Sequence, residues 1–364
     1  MERSDPLVML LSLAAALLVR ISPSAETSGY LVELKGKFQT VGYAATQTPK
    51  VTFPLPRNYR GQVPLSFEMK VKPENALVSG RVVEGKCGDR VVELSLKPMK
   101  EGKKVDMEWS TIVFADASER EAMKLPEAVP FPDRYPREVQ PWLISSIYVE
   151  ATDSRIVTAA APFKRNDVVA TIKGTLAGSQ EILRRQSGMA TDLSSLQALD
   201  KAGSCTSNAN LLAALLRANN VPARILAGYP TWSERPLQTH YIVEAYVPTY
   251  GWYPLESTLG TAGWPCSEMP IVSIVPVEYE NKGIRRPGIA PGVPYLTLNE
   301  ASEGVVNIGT LTGTYSDHVA KTLGMAKLPE GGFVQKQARW EAWLTEVAQG
   351  WKDLSCDVQL PRKE

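Results

Sequence analysis

Three residues in the middle of the chain have the side chains of a thiol-dependent catalytic set. Cys205 follows a small polar pair in GSCTSNANLLAALLR and begins a predicted helix. A helix N-terminus carries unpaired N–H groups and a partial positive charge, so it stabilises a thiolate and can bind an oxyanion. His240 in HYIVEAY and Glu256 in GWYPLEST come next along the chain. The order thiol, imidazole, carboxylate fits a nucleophile, its base and the group that orients the base.

The chemistry that these residue types perform is attack on an amide. A thiol with its ordinary pKa is mostly protonated at neutral pH, so His240 must take its proton or stabilise the thiolate as an ion pair. A carboxylate on the other ring nitrogen fixes the tautomer and favours the imidazolium. Cys205 would attack a carboxamide, the amine would leave, and water or a primary amine would resolve the thioester. The backbone N–H of Cys205 is a candidate oxyanion donor, and the sequence identifies no second one.

A helix and three strands are predicted to position this set. Ser204 can cap the helix that Cys205 begins, and the strands ARILAGY, THYIVEAYVP and GWYPLEST follow it. Side chains alternate along a strand, so His240 and Glu244 share one face of HYIVEAY. A helix packed on antiparallel strands would place Cys205 at a helix tip beside His240. Residues 167–185 are predicted to form an earlier helix, although they contain two glycines.

Residues 173–258 resemble the transglutaminase-like superfamily of cysteine enzymes, which have a papain-like fold. The resemblance rests on GSC, on ANLLAALLRANNVPAR, on AGY, on HYIVEAY and on GWYPLE. It implies that Cys205 is the nucleophile that accepts the acyl group, that His240 is its base and that Glu256 orients the base. It also implies an α+β catalytic domain, and the strand-rich region before it, with the stretch Trp142–Ser146, resembles the sheet module that precedes such domains in many exported bacterial members.

Two positions depart from the usual pattern of that superfamily. Glu256 stands where aspartate is usual, yet the longer side chain can still accept the imidazole N–H, so we expect its role to be kept. Ile242 stands where tryptophan is common, which we expect to change the wall of the cleft more than the chemistry. If Glu256 points away from the histidine, Glu244 is the alternative orienting acid.

The fold class predicted for the whole chain is α+β. Alternating apolar and polar residues in the N-terminal third predict an antiparallel β-sandwich, with a small barrel as the alternative. An amphipathic pattern over residues 333–351 predicts a helix near the C-terminus. The predicted segments are a signal peptide (1–25), a β-rich domain (26–140), a transglutaminase-like catalytic domain (141–280) and a C-terminal extension ending in that helix (281–364).

The apolar run at residues 6–19, followed by small residues, predicts export to the periplasm or the extracellular space. A spanning helix needs about 20 apolar residues, and Arg20 interrupts this run earlier than that. A signal peptide usually has a positive charge before the apolar run, but here Glu2 and Asp5 offset Arg3. An uncleaved membrane tether and a buried N-terminal helix therefore stay open as alternatives. Membrane contact is expected only if the segment is uncleaved.

Composition and cysteine usage limit the partners and cofactors. Forty Lys and Arg against 39 Asp and Glu give a net charge of +1, so no global field would attract nucleic acid. Beside a free Cys205, the three cysteines Cys87, Cys266 and Cys356 allow at most one disulfide, and its pairing stays open. The chain has no C-x-x-C pair, His318 stands alone, and no calcium-loop pattern is present. No metal or other cofactor is therefore expected.

The favoured interpretation is an exported, metal-independent cysteine enzyme acting on peptide or protein amides, by hydrolysis or by acyl transfer to a primary amine. The alternative is a catalytically silent binding module of the same fold in a cell-envelope assembly. Proteases, amidases and cross-linking transferases share one catalytic set and differ in cleft shape and in water access. The sequence therefore leaves the natural substrate and the acceptor open.

Overall fold

A computed structural model describes most of the chain from residue 27 to residue 280, together with short segments beyond it. The described ranges are 27–42, 48–84, 88–116, 124–231, 239–263, 269–280, 300–301, 305–315, 326–327 and 333–335. The predicted signal peptide, His318 and the cysteines Cys87, Cys266 and Cys356 lie outside them. Within these ranges no helix is long and apolar enough to cross a bilayer.

Among the described residues, the α-helices all follow the N-terminal strands. The strands are β1 (Thr27–Gly42), β2 (Lys50–Leu55), β3 (Gln62–Lys72), β4 (Leu77–Glu84), β5 (Arg90–Leu96), β6 (Lys104–Asp116), β7 (Ala223–Gly228), β8 (His240–Val247), β9 (Gly251–Glu256), β10 (Thr261–Ala262), β11 (Ile271–Ile274), β12 (Glu300–Ala301), β13 (Val305–Tyr315), β14 (Ala326–Lys327) and β15 (Phe333–Gln335). The α-helices are α1 (Ser154–Ala160), α2 (Val168–Arg185), α3 (Cys205–Ala218) and α4 (Val277–Glu280). The chain is thus mixed α+β, as predicted.

Two antiparallel sheets are built on the N-terminal strands. One has the order β14-β15-β1-β6-β3 with β13 also paired to β1, and the other has the order β12-β2-β5-β4. The predicted alternation is visible in β5, where Val92, Leu94 and Leu96 are buried and the residues between them are half-buried. Phe53 of β2 stacks on Trp109 of β6 with ring centroids 5.6 Å apart. Apolar side chains of the two sheets therefore share one core.

The described residues near the C-terminus belong to these same sheets. β13 pairs antiparallel with β1 over its whole length, β12 pairs with β2, and β15 pairs with Thr27–Gly29 of β1. The helix predicted from residue 333 is wrong at its start, because Phe333–Gln335 is the strand β15; residues 336–351 lie outside the described part. The physical reason is the edge of β1, whose backbone groups need partners and find them in β13 and β15.

The second half of the described chain packs helices on a third sheet. Its strand order is β10-β9-β8-β7-β11, and α3 lies against β7 and β8. The predicted helix at 167–185 is confirmed as α2, where Asp167 caps the first turn by accepting from the Ala170 N–H at 2.8 Å. Gly178 of α2 is tolerated because the Phe163 ring fills its side, where an added Cβ would lie 2.2 Å from ring atoms.

Hydrogen bonds join the N-terminal sheets to the third sheet. The Gln62 side chain donates to the Ile271 carbonyl at 2.9 Å and accepts from the Ile271 N–H at 2.7 Å. The Tyr229 hydroxyl donates to the Pro54 carbonyl at 2.6 Å. These bonds are buried, so they are retained only if the N-terminal strands and the third sheet stay in contact.

A fully buried ion pair anchors the C-terminal end of α3. Arg217 makes a two-pronged contact with Glu280 of α4, at 2.8 and 2.9 Å, and both side chains have no exposed surface. The same guanidinium donates to the carbonyls of Ala223 and Ile144. Every donor of this arginine therefore serves to hold α3 against its surroundings.

Candidate active site

The N-terminus of α3 presents Cys205 as the first helical residue. Ser204 is the N-cap, as predicted: its hydroxyl accepts from the Ser207 N–H at 3.4 Å, and the Ser207 hydroxyl donates back to the Ser204 carbonyl at 2.9 Å. Gly203 leaves room for this turn, because a Cβ there would lie 1.9 Å from the Ser207 hydroxyl oxygen. Gly203 and Ser204 therefore fix the first turn of α3 and with it the position of the Cys205 side chain.

The close approach at Gly203 gives a testable consequence. Gly203→Ala must displace Ser207 and with it the first turn of α3, and misplacing a reacting group by about 1 Å costs roughly 100-fold in rate. We expect the amide turnover predicted from the sequence to fall by about that factor, while the far-ultraviolet circular dichroism is unchanged. Lys201→Ala, an exposed change in the same loop, is the control. Equal turnover of the Gly203→Ala variant and the wild type would show that the tight packing does not matter.

His240 and Glu256 meet because β8 and β9 are antiparallel neighbours. His240 begins β8 and Glu256 ends β9, so the two side chains lie at the same end of the sheet. Nε2 of His240 is 2.5 Å from Oε2 of Glu256, and Oε1 accepts from the Thr258 N–H at 2.6 Å. Both side chains are mostly buried, with 15% and 13% exposed. The glutamate reaches the imidazole despite its extra methylene.

The thiol of Cys205 interacts with the same histidine. Cys205 hydrogen-bonds with His240, with the backbone N–H of Tyr241 and with Thr206. Since Glu256 occupies Nε2 of His240, the remaining ring nitrogen, Nδ1, serves the thiol. The structure therefore brings all three predicted residues together in the predicted order.

Burial and charge act in opposite directions on the thiol and the imidazole. Burial would raise the pKa of Cys205, but the hydrogen bond and the charge of His240 outweigh it and lower that pKa below its ordinary value. Burial would lower the pKa of His240, but Cys205 and Glu256 raise it to about 9. The thiol loses its proton more easily and the imidazole holds its own more tightly, so both shifts favour the thiolate–imidazolium pair over the neutral pair.

This geometry coincides with a match to a known family. Residues 158–257 match the model of the transglutaminase-like superfamily, and this segment contains Cys205, His240 and Glu256. These residues form a transglutaminase-like domain. No curated protein matches the chain.

One solved structure has a similar fold over most of the chain. A provisionally assigned cysteine protease from Cytophaga hutchinsonii is 16% identical, with a TM-score of 0.58, and the match covers 80% of this chain and 93% of that protein. A provisionally assigned protease from Parabacteroides distasonis is 13% identical with a TM-score of 0.21, and the match covers 61% of this chain and 46% of that protein. At this identity the first similarity shows the fold, and the second carries no further weight.

Glu244, the alternative acid, has a different role in the transglutaminase-like domain. It is 2% exposed, it accepts from the Tyr59 hydroxyl, and its other oxygen lies 2.5 Å from Nε of Arg224. The Arg224 guanidinium in turn lies over the Trp252 ring, 4.1 Å from its centroid. Glu244 thus links the third sheet to the loop after β2, and Glu256 alone of the two contacts His240.

Ile242 lies elsewhere than expected. It is 2% exposed and pairs with Leu226 of β7, so it fills the core instead of forming an open wall of the cleft. A buried aliphatic residue in the middle of a sheet is ordinary packing. The substitution of the family's tryptophan therefore changes the interior of the transglutaminase-like domain.

The groups that surround the three predicted residues were not predicted from the sequence. Thr206 and Tyr241 directly follow Cys205 and His240 in the chain, and Thr258 lies two residues after Glu256, so proximity in sequence was an available signal. No such signal marks Gln180 of α2, which donates to the Ser257 carbonyl at 2.5 Å from a distant part of the chain. Among the described residues, no cluster of three or more His, Cys, Asp or Glu side chains could hold a metal ion.

Proposed function

We propose that the protein is a cysteine enzyme that cleaves peptide or protein amides through a thioester on Cys205. The observation that carries this proposal is the hydrogen-bonded series in which Glu256 binds Nε2 of His240 and His240 binds the thiol. A silent binding module has no need for a thiol with a lowered pKa beside an imidazole with a raised one. The transglutaminase-like fold agrees with the proposal.

The mechanism follows from the charges of the pair. The Cys205 thiolate attacks the carbonyl carbon of the amide, and the tetrahedral oxyanion forms near the N–H groups at the start of α3, which have no partner within the helix. The His240 imidazolium then gives its proton to the amide nitrogen, the C–N bond breaks, and an amine leaves. Glu256 holds the imidazole in orientation throughout.

Release of the acyl group uses the same residues. Neutral His240 takes a proton from water, the hydroxide oxygen attacks the thioester carbonyl, and the C–S bond breaks to give a carboxylic acid and the Cys205 thiolate. A primary amine can replace water, in which case the product is a new amide. We propose hydrolysis as the main outcome, because the solved structure of similar fold is provisionally assigned as a protease.

The cellular setting is part of the same proposal. We propose that residues 1–25 direct export to the periplasm or the extracellular space, and that an uncleaved form would be tethered to the membrane. We also propose that the N-terminal sheets form a β-sandwich in front of the catalytic domain at residues 141–280. The apolar run at 6–19 and the core shared by Phe53 and Trp109 support these two statements.

The ion pair predicts a characteristic pH dependence. Because the pKa of Cys205 is lowered, turnover should begin to rise at a pH below the pKa of an ordinary thiol. Because the pKa of His240 is about 9, turnover should fall as the pH rises through about 9 and the general acid loses its proton.

Iodoacetamide should label Cys205 faster than the other cysteines near neutral pH, as mass spectrometry of digested protein can show. Labelling at the rate of a free thiol would contradict the activated thiolate.

The reaction class can be tested directly. Purified protein is incubated with a peptide library and an isotopically labelled primary amine, and the products are analysed by mass spectrometry. The proposal predicts shortened or deamidated peptides, with label in place of a leaving amine if amines compete with water. If wild-type protein leaves peptides of several lengths unchanged, this result would contradict the proposed function.

A further inference from the structure

The turn that follows β9 determines where the carboxylate of Glu256 lies. The Gly260 N–H donates to the Glu256 carbonyl at 2.9 Å, and the Thr258 N–H donates to Oε1 of Glu256 at 2.6 Å. With Oε2 on His240, both carboxylate oxygens are engaged. Any shift of this turn must therefore move the carboxylate relative to the imidazole.

Gln180 of α2 holds this turn from another element. Its Nε2 donates to the Ser257 carbonyl at 2.5 Å, and Ser257 is 1% exposed. Gly260 lies against the same side chain: an added Cβ would lie 2.7 Å from Cγ and 2.9 Å from Cδ of Gln180. Gly260 also has a φ of 70°, which favours glycine. The turn is thus shaped to let Gln180 reach its carbonyl.

We propose that Gln180 is a positioning residue for the catalytic set. It touches no reacting atom; it fixes the turn, the turn fixes Glu256, and Glu256 favours the imidazolium of His240 that stabilises the Cys205 thiolate. This proposal rests on the function proposed above. A purely structural role, in which Gln180 only ties α2 to the sheet, would change stability and leave the ionisation of Cys205 as it is.

The expected effect is partial, because the turn has other supports. The Thr258 N–H still binds the carboxylate, and Thr261 of β10 still pairs with Glu256. Losing the Gln180 hydrogen bond should loosen the contact between Glu256 and His240 by the equivalent of one hydrogen bond. Labelling of Cys205 by iodoacetamide at pH 7 should then slow by about five- to tenfold.

Gln180→Met is the test variant, because methionine has nearly the same shape and cannot donate. The measurement is the pH dependence of Cys205 labelling by iodoacetamide, which needs no substrate. In Gln180→Met the rise in labelling should move to higher pH, since a less stabilised imidazolium stabilises the thiolate less. Glu181→Met is the matched control, because Glu181 is exposed and contacts Arg185 on the same helix; its labelling profile should equal that of the wild type.

Gly260→Ala provides a second route to the same result, because the added methyl pushes Gln180 away from the turn. It should move the labelling profile in the same direction, and thermal unfolding of each variant is measured in parallel. A wild-type profile in Gln180→Met, whatever its melting temperature, would overturn the positioning role alone. If wild-type Cys205 itself labels like a free thiol, the proposed function fails and this proposal fails with it.

Discussion

Replacing Cys205 by alanine is expected to abolish amide turnover. The variant lacks the sulfur atom that carries the acyl group in the proposed mechanism, and loss of the nucleophile from a catalytic set of this kind lowers the rate by about 10⁴-fold or more. Folding should be little affected, because the change removes one partly exposed sulfur at a helix tip. The assay is the release of new amine and acid ends from peptides, measured by mass spectrometry.

Two controls make this result specific to the proposed nucleophile. Cys205→Ser replaces the thiol by a hydroxyl, whose pKa is far higher than that of a thiol, so this variant should also be inactive. Cys356→Ala removes a different cysteine and should keep turnover. A Cys205→Ala variant that retains every measurable function of the wild type would instead favour the silent binding module.

Breaking the buried ion pair between Arg217 and Glu280, at the C-terminal end of α3, should lower the stability of the fold more than any other substitution proposed for this protein. Arg217→Met leaves the Glu280 carboxylate buried without its partner and removes the donors to the Ala223 and Ile144 carbonyls. Removing one member of a buried pair costs about 3–5 kcal/mol. The free energy of unfolding, measured by urea denaturation with tryptophan fluorescence, should fall by that amount.

Comparison variants separate burial from charge in this prediction. Arg81→Met breaks an exposed pair with Glu93 and should cost less than about 1 kcal/mol. Combining Arg217→Met with Glu280→Met removes the unpaired charge and should restore part of the stability, but the two carbonyls stay without donors. A loss below about 1 kcal/mol in the single variant would mean that α3 is not anchored by this pair.

The local part of the candidate active site was predictable from the sequence. A helix cap at Ser204, a thiol at the first helical residue and a histidine at the start of a strand are each encoded within a few residues. Strand alternation and the antiparallel order of β8 and β9 then bring His240 and Glu256 to one end of the sheet. Short-range rules of capping and alternation suffice for these steps.

The contacts that depend on distant segments were not predictable. Pairing of β13 with β1 joins residues that are far apart in the chain, and neither strand's sequence specifies its partner. The same holds for Gln180 and the Ser257 carbonyl, and for Tyr59 and Glu244. The helix predicted to begin at residue 333 was wrong at its start, because the apolar pattern of three residues fits the period of a strand as well as that of a helix.

Glu256 stands where aspartate is usual in the superfamily, and the structure shows that its carboxylate still contacts the histidine. The extra methylene of Glu256 could have turned the carboxylate away from the histidine. Instead, the Thr258 N–H binds one oxygen and leaves the other 2.5 Å from the imidazole. The sequence contains Thr258, but only the turn shows where its N–H points.

Detection of the acyl-enzyme is the most direct test of the central claim. Wild-type protein is mixed with a peptide amide, quenched in acid within milliseconds to seconds, and its intact mass is measured before digestion locates the adduct. The proposed mechanism predicts an added acyl mass on Cys205 that hydroxylamine removes and that Cys205→Ala lacks. Cleavage of the peptide with no adduct on Cys205 at any time, and with equal rates in Cys205→Ala, would contradict the mechanism.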